Sequence, residues 1–389
     1  MTWPTNPSSR TKFTTGQRKL GEVCEKLNLQ KAPIGSWPYV EIGDIDIENK
    51  SIIFKDKKSI RGAIIAPADS VLVSRVRPTR GAIVYIDKDY VVSSAFSILK
   101  PKLSESFSKF LFYWLGFSKN FFQYLQKKQK GSNYPSVRDK DILNFKIHIP
   151  SLKIQQKIVE RLDAIKKAQE LNDKQIALAE ELFQSLLHRE LDPKGKNWEV
   201  KRLGELSLVI TKGTTPTTYG YRFTDAGIPF LRVEDVNNDL VNPKKTEYHI
   251  SKETHEFMKR SKTEPRDILV TIAGTIGRVA HVPENAPEMN MNQAVAIVRL
   301  KPLVNHLYVF YLLRTKELQR AMKFAEVTGT ITNISLTTLK NLKIPLPPIE
   351  TQRKIVEKLS AVQEYKKKLL EQKQKLNELF ESVLNKSMS

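Results

Sequence analysis

The 389-residue sequence predicts an α+β protein. Its expected plan is two similar mixed α/β domains separated by two long helices, which pack as an antiparallel coiled coil with pseudo-twofold internal symmetry. Three observations predict this. One phrase is written twice: "FKIHIPSLKIQQKIVERLDAI" from Phe145 to Ile165 returns as "LKIPLPPIETQRKIVEKLSAV" from Leu342 to Val362, and the offset of 197 residues then holds without a gap to the end of the chain. Each phrase opens a stretch without glycine or proline that carries a heptad pattern. Positive charge, finally, is concentrated outside those stretches.

In chain order the boundaries are a first domain over 1–150 with a polar arm at 1–18, a helix over 151–191, a second domain over 192–348 and a helix over 349–389. The arm, "MTWPTNPSSRTKFTTGQRK", has no apolar core segment and does not read as a signal peptide. The longest apolar run, Leu111 to Phe117, falls far short of the roughly 20 residues a bilayer needs, so no membrane association is expected. A single cysteine, Cys24, rules out a disulfide framework and fits a reducing cytoplasm. Inside the domains the repeat continues with small gaps: "LGEV" at Leu20 and "LGEL" at Leu203, "PYVEIGDI" at Pro38 and "PFLRVEDV" at Pro229, "DSVLVS" at Asp69 and "RDILVT" at Arg266, "FYWL" at Phe112 and "FYLL" at Phe310.

The helices follow from spacing. Ile158, Leu162, Ile165, Gln169, Asn172, Ile176, Ala179, Phe183 and Leu186 recur at alternating steps of four and three, and Ile355, Leu359, Val362, Lys366, Leu369, Lys373, Leu376, Phe380 and Val383 repeat that register. Such a seam suits helix on helix, its polar middle lowering stability while favouring one register. Pro150 and Pro347-Pro348 mark the entries, and each helix would be about 60 Å long.

The chain carries 64 Lys and Arg against 42 Asp and Glu, a formal charge of +22. Residues 151–190 balance to zero and 349–389 hold only +3, so the excess belongs to the globular domains. That distribution points to a polyanionic partner, nucleic acid first. Candidate contacts are hydroxyl, aromatic and basic side chains in loops, which suit phosphates and base edges. In the second domain they are Lys212, Thr214, Thr215, Thr217, Tyr219, Tyr221 and Arg222 of "TKGTTPTTYGYRF", with Arg278, Thr330 and Thr332. In the first they are Arg75, Arg77 and Arg80 of "SRVRPTRG", and Ser132, Asn133, Tyr134 and Arg138 of "QKGSNYPSVR". The first domain lacks the Thr211–Phe223 segment, so the copies differ most where recognition is expected.

Catalytic patterns are missing. There is no Asn/Asp-Pro-Pro-aromatic loop of an amino-methyltransferase, no glycine-rich strand-to-helix loop for a nucleotide, and no metal spacing among the six histidines.

The duplicated "IPLPPIETQRKIVEKLSAV" phrase, with "GIPFLRVEDV" and "RDILVTIAGTIGRVA", resembles the DNA-specificity subunit of type I restriction–modification systems along nearly the whole length. The resemblance implies two target-recognition domains, each reading half of an asymmetric, split site in double-stranded DNA. It also implies a helix pair that sets the unread spacer and docks two modification subunits. Those partners would hold S-adenosylmethionine, restriction/translocase subunits would bring ATP and Mg, and this chain would carry no cofactor and no catalytic or metal site. The alternative is a non-catalytic coiled-coil scaffold or an RNA-binding protein.

Overall fold

The computed structural model describes residues 17–36, 38–237, 241, 243–324 and 333–388. The chain divides into two compact units, one of residues 1–173 with 371–389 and the other of 174–370. The heptad stretches form uninterrupted helices, Leu152–Leu191 and Ile349–Met388. Each unit contains one globular domain together with part of both helices.

The first unit is built on a three-stranded antiparallel sheet ordered Ile83–Ile86, Ser70–Ser74, Phe96–Leu99. Its central strand is buried on both faces because side chains alternate along a strand. Val71 and Val73 enter one core with Phe110, Leu111 and Leu115 of helix Ser108–Phe117. Leu72 enters a second core with Val40, Ile86, Tyr90 and Val92. The long helices close the first core, to which one contributes Leu162 and Ile165 and the other Phe380 and Leu384; the cross-helix pairs Gln169–Asn377 and Asp173–Lys373 show that they run antiparallel here.

In the second unit a four-stranded antiparallel sheet is ordered Ser207–Lys212, Val295–Leu300, Ile268–Thr271, Val279–His281. Alternation again feeds two cores: Ile268 and Val270 join Tyr308 and Phe310 of helix His306–Leu313, whereas Leu269 joins Leu231, Met289 and Met291. The first of these cores also takes in Phe183, Leu187, Ile355 and Leu359 of the long helices. The edge strand Ser207–Lys212 leads into the segment the first domain lacks. In the first domain, among the described residues, the equivalent edge of the sheet carries an isolated bridge between Cys24 and Pro101 in place of that strand.

One glutamine anchors each long helix to its own domain. Gln155 is fully buried; its Oε1 accepts from Ser106 Oγ at 2.9 Å and Phe107 N at 3.1 Å, while Nε2 donates to the carbonyls of Glu105 at 2.9 Å and Pro150 at 2.8 Å. Its counterpart Gln352 accepts from Asn305 N at 3.0 Å and donates to Pro347 O at 2.8 Å. Among the described residues no helix is long and apolar enough to cross a membrane, and no group of three or more His, Cys, Asp or Glu could hold a metal.

Candidate nucleic-acid interface

In the second unit the Thr211–Phe223 segment leaves the sheet at Lys212 and is tied down at once. Gly213 N donates to Val295 O at 3.1 Å and Thr214 N to Met291 O at 3.1 Å. A Cβ at Gly213 would lie 2.0 Å from Met291 O, so only glycine allows this approach. Thr215 is hydrogen-bonded to Gln293, and the 3₁₀ turn Pro216–Tyr219 ends on Gly220 in the left-handed region at φ 80°. The chain then exposes Lys212, Thr217, Tyr219 and Arg222, with Thr214, Thr215 and Tyr221 half-buried. Arg278, half-buried, lies across the sheet, its backbone N donating to Thr271 Oγ1 at 2.9 Å. Thr330 and Thr332 lie outside the described residues.

No sequence pattern singles out Phe257. It ends helix Lys252–Phe257, is 52% exposed, and meets Tyr219 and Tyr221 at ring-centroid distances of 5.2 and 5.1 Å. Below it Phe223 packs on Phe230 and Tyr248, and the Arg232 guanidinium sits 4.7 Å from the Tyr248 ring.

In the first unit the two candidate loops are brought together by backbone hydrogen bonds: Arg77 N donates to Pro135 O at 2.7 Å and Val137 N to Arg75 O at 2.9 Å. Arg77, left-handed at φ 47°, stands 5.2 Å over the Tyr134 ring, beside exposed Arg80, Ser132 and Asn133. The equivalent loops of the second unit are joined by a bond from Ile334 N to Ile272 O at 2.8 Å. Two of the candidate arginines already have protein partners. Arg75 pairs with Asp139 at 2.9 Å and donates to Ser94 O, while Arg138 forks onto Asp141 at 2.9 and 3.3 Å. The Arg138 pair holds the Asp141 carboxyl below its usual range.

Lys50, which no sequence pattern singled out, supports the arginine turn. Its Nζ donates to Gly81 O at 2.7 Å and lies 5.8 Å from the Phe117 and Phe122 rings. Burial, aided by nearby Lys166, lowers its pKa to about 8. Lys166 of the long helix donates to Asn49 O at 2.9 Å, so residues 49 and 50 bridge helix and loop.

Along the seam Leu162, Ile165, Phe183, Ile355, Leu359, Leu369 and Phe380 are buried, and Ile158, Ile176, Val362 and Leu376 are half-buried. Three of its polar positions, Gln169, Lys366 and Lys373, pair across the helices. In the first unit Gln169 Nε2 donates to Asn377 Oδ1 at 2.8 Å and Lys373 meets Asp173 at 2.8 Å. In the second, Lys366 meets Glu180 at 2.5 Å. By the 197-residue offset, Gln169–Asn377 and Lys366–Glu180 are the same pair in the two copies, one neutral and one ionic.

A model of the type I restriction modification DNA specificity domain matches residues 14–181 and 195–379. The putative type I restriction enzyme MjaX specificity subunit of Methanocaldococcus jannaschii is 26% identical over 312 residues, which cover 75% of this chain and 69% of that protein. The EcoBI specificity subunit of Escherichia coli is 33% identical over 171 residues, 41% of this chain and 35% of that one. Two solved structures share the fold over 98% of either chain: a type I restriction-modification S subunit from M. genitalium, at TM-score 0.64 and 15% identity, and the HsdS subunit from Thermoanaerobacter tengcongensis, at 0.53 and 22%. Two matched segments, one on each copy of the repeat and together most of the sequence, establish that this chain belongs to the type I restriction modification DNA specificity domain family.

Proposed function

We propose that this chain is the non-catalytic, sequence-specific DNA-binding subunit of a type I restriction–modification complex. Each globular domain reads one half of an asymmetric split site in double-stranded DNA. The helix pair sets the unread spacer and docks two modification subunits. Those subunits hold S-adenosylmethionine and methylate adenine after extruding it from the stack, and restriction subunits supply ATP- and Mg-dependent cleavage and translocation. Domain limits at 150, 191 and 348 go with this division of labour.

The observation that carries the reading is one scaffold used twice with different loops at the same corner. The second copy adds an edge strand and the Lys212–Arg222 segment, and the first presents Arg77, Arg80 and Tyr134 instead. Repeated sheets with unlike surfaces suit two unlike half-sites. Base edges in the major groove offer the patterns that Arg, Lys, Thr and Ser distinguish. Phosphate contacts by the remaining basic side chains supply sequence-independent affinity. Helices that continue unbroken from one unit into the other suit a spacer of set length.

The test is to co-express the chain with its modification subunit and map methylated adenines in the host genome. A two-part motif with a fixed gap is the expected result. A continuous motif, or no new methylation from a complex verified to have assembled with its modification subunit, refutes the reading and favours a scaffold.

A further inference from the structure

The aromatic cluster of the second unit sits in a basic setting. Lys212 and Arg222 are exposed on the segment that carries Tyr219 and Tyr221, and Lys252, Lys259 and Arg260 are exposed on either side of Phe257. Of the nearby acids, Glu256 is already paired with Lys262 at 2.7 Å. An apolar ring left half in water on such a surface loses the benefit of burial unless a partner covers it, and the charge selects an anionic partner.

Duplex DNA offers a phenyl ring two apolar targets: the C5-methyl of thymine in the major groove, or the gap between base pairs after a wedge enters the minor groove. The packing decides between them. A wedge must project free of its neighbours, whereas Phe257 packs against two rings, Tyr219 and Tyr221, at centroid distances of 5.2 and 5.1 Å. It therefore presents a blunt apolar face, rooted through Met258 in the core with Phe230 and Ile250. Its position is fixed from the other side as well. Ser251 Oγ caps the helix by accepting from Thr254 N at 3.1 Å, and buried His255 bonds Asn290, whose Nδ2 donates to Met258 O at 3.0 Å and Ser261 Oγ at 2.9 Å. These bonds fix the backbone that carries Phe257, and the contacts with Tyr219 and Tyr221 favour a ring face laid on the surface over a ring inserted between bases.

Building on the split-site reading, we propose that Phe257, steadied by Tyr219 and Tyr221, is a specificity-determining residue that reads a thymine methyl group within the half-site of the second domain. Tyr219 and Tyr221 position the ring, and the flanking Lys212, Arg222, Lys259 and Arg260 hold the phosphates beside it. In the first unit the exposed aromatic residues are Tyr134, which lies under Arg77, and Phe54, which stacks on the single ring of Tyr90 at 5.8 Å; among its described residues neither packs against two rings as Phe257 does, and that unit reads its half by other chemistry.

The experiment uses the complete complex with its modification subunit and duplexes carrying the mapped site. Each thymine is replaced in turn by uracil, which removes only the methyl. Wild type should lose about fourfold in affinity at one position, the worth of one methyl taken out of water. In Phe257→Ala the same replacement should change nothing, since the two perturbations then act on one contact. Phe257→Leu should retain part of the discrimination. The proposal is overturned if no uracil position weakens wild type, or if the sensitivity survives in Phe257→Ala. Should Phe257→Ala fail to fold, the uracil scan on wild type together with Phe257→Leu still decides. A two-part methylation motif without any uracil effect defeats this proposal alone; loss of the two-part motif defeats the reading beneath it.

Discussion

Gln155 makes the sharpest stability test, because its four partners divide into two donors and two acceptors. In Gln155→Glu the carboxylate keeps the bonds from Ser106 and Phe107 but turns an oxygen toward the carbonyls of Glu105 and Pro150, which the amide meets at 2.9 and 2.8 Å. Each buried carbonyl left without its donor costs about 1–3 kcal/mol, and a buried charge adds to that, so the first unit should lose about 3–5 kcal/mol near neutral pH. Burial raises the pKa of the introduced acid, so lowering the pH restores a proton and one donor and should recover part of the loss. The same change at Gln352 removes a single donor bond, to Pro347 O, and should cost about half as much. Hydrogen exchange resolved by peptide is the assay, since it reads the two units separately. Amides of 105–117 and 152–165 should lose protection in Gln155→Glu while 305–313 keep theirs. Equal losses from the two variants, or a cost below about 1 kcal/mol for Gln155→Glu, would show that these bonds do not anchor the helix.

Three further outcomes follow from the described contacts. Gly213→Ala should reduce DNA binding and unfasten Thr214 from Met291, because its methyl would collide with a backbone oxygen; unchanged protection of the Thr214 amide would contradict this. Lys50 has its folded pKa lowered from 10.5 to about 8, so wild type should gain stability relative to Lys50→Met as pH rises from about 8 toward 10.5, and the two should run parallel below 8; denaturant titrations at stepped pH measure it. Lys366→Gln should weaken the second unit by roughly 0.3–1 kcal/mol, less in high salt, whereas Gln169→Ala in the first unit should show no salt dependence.

The long helices were the most legible part of the chain. A heptad register with no glycine or proline acts locally, and every seam residue named from it is buried or half-buried. The shared scaffold was legible too, since phrases that match in order and spacing fold alike. Contacts made by residues far apart in sequence were not legible. Nothing near Phe257 in the chain announces Tyr219 and Tyr221, and Lys50 gives no hint of Gly81. Charge alone also misdirects: Arg75 and Arg138 look as available as Arg77 and Arg80, yet each faces a carboxylate several residues or a whole loop away. Gln155 and Gln352 did carry a signal, a polar identity kept inside an apolar phrase, but burial was needed to give it meaning.

The matched seam pairs also bear on pairing. If each copy met a replica of itself, Gln169 would face Glu180 in one case and Lys366 would face Asn377 in the other, and neither meeting places opposite charges together. Only the unlike arrangement brings Lys366 to Glu180. At this position, then, the two halves complement each other where neither would complement its own likeness, and the pair marks which half meets which.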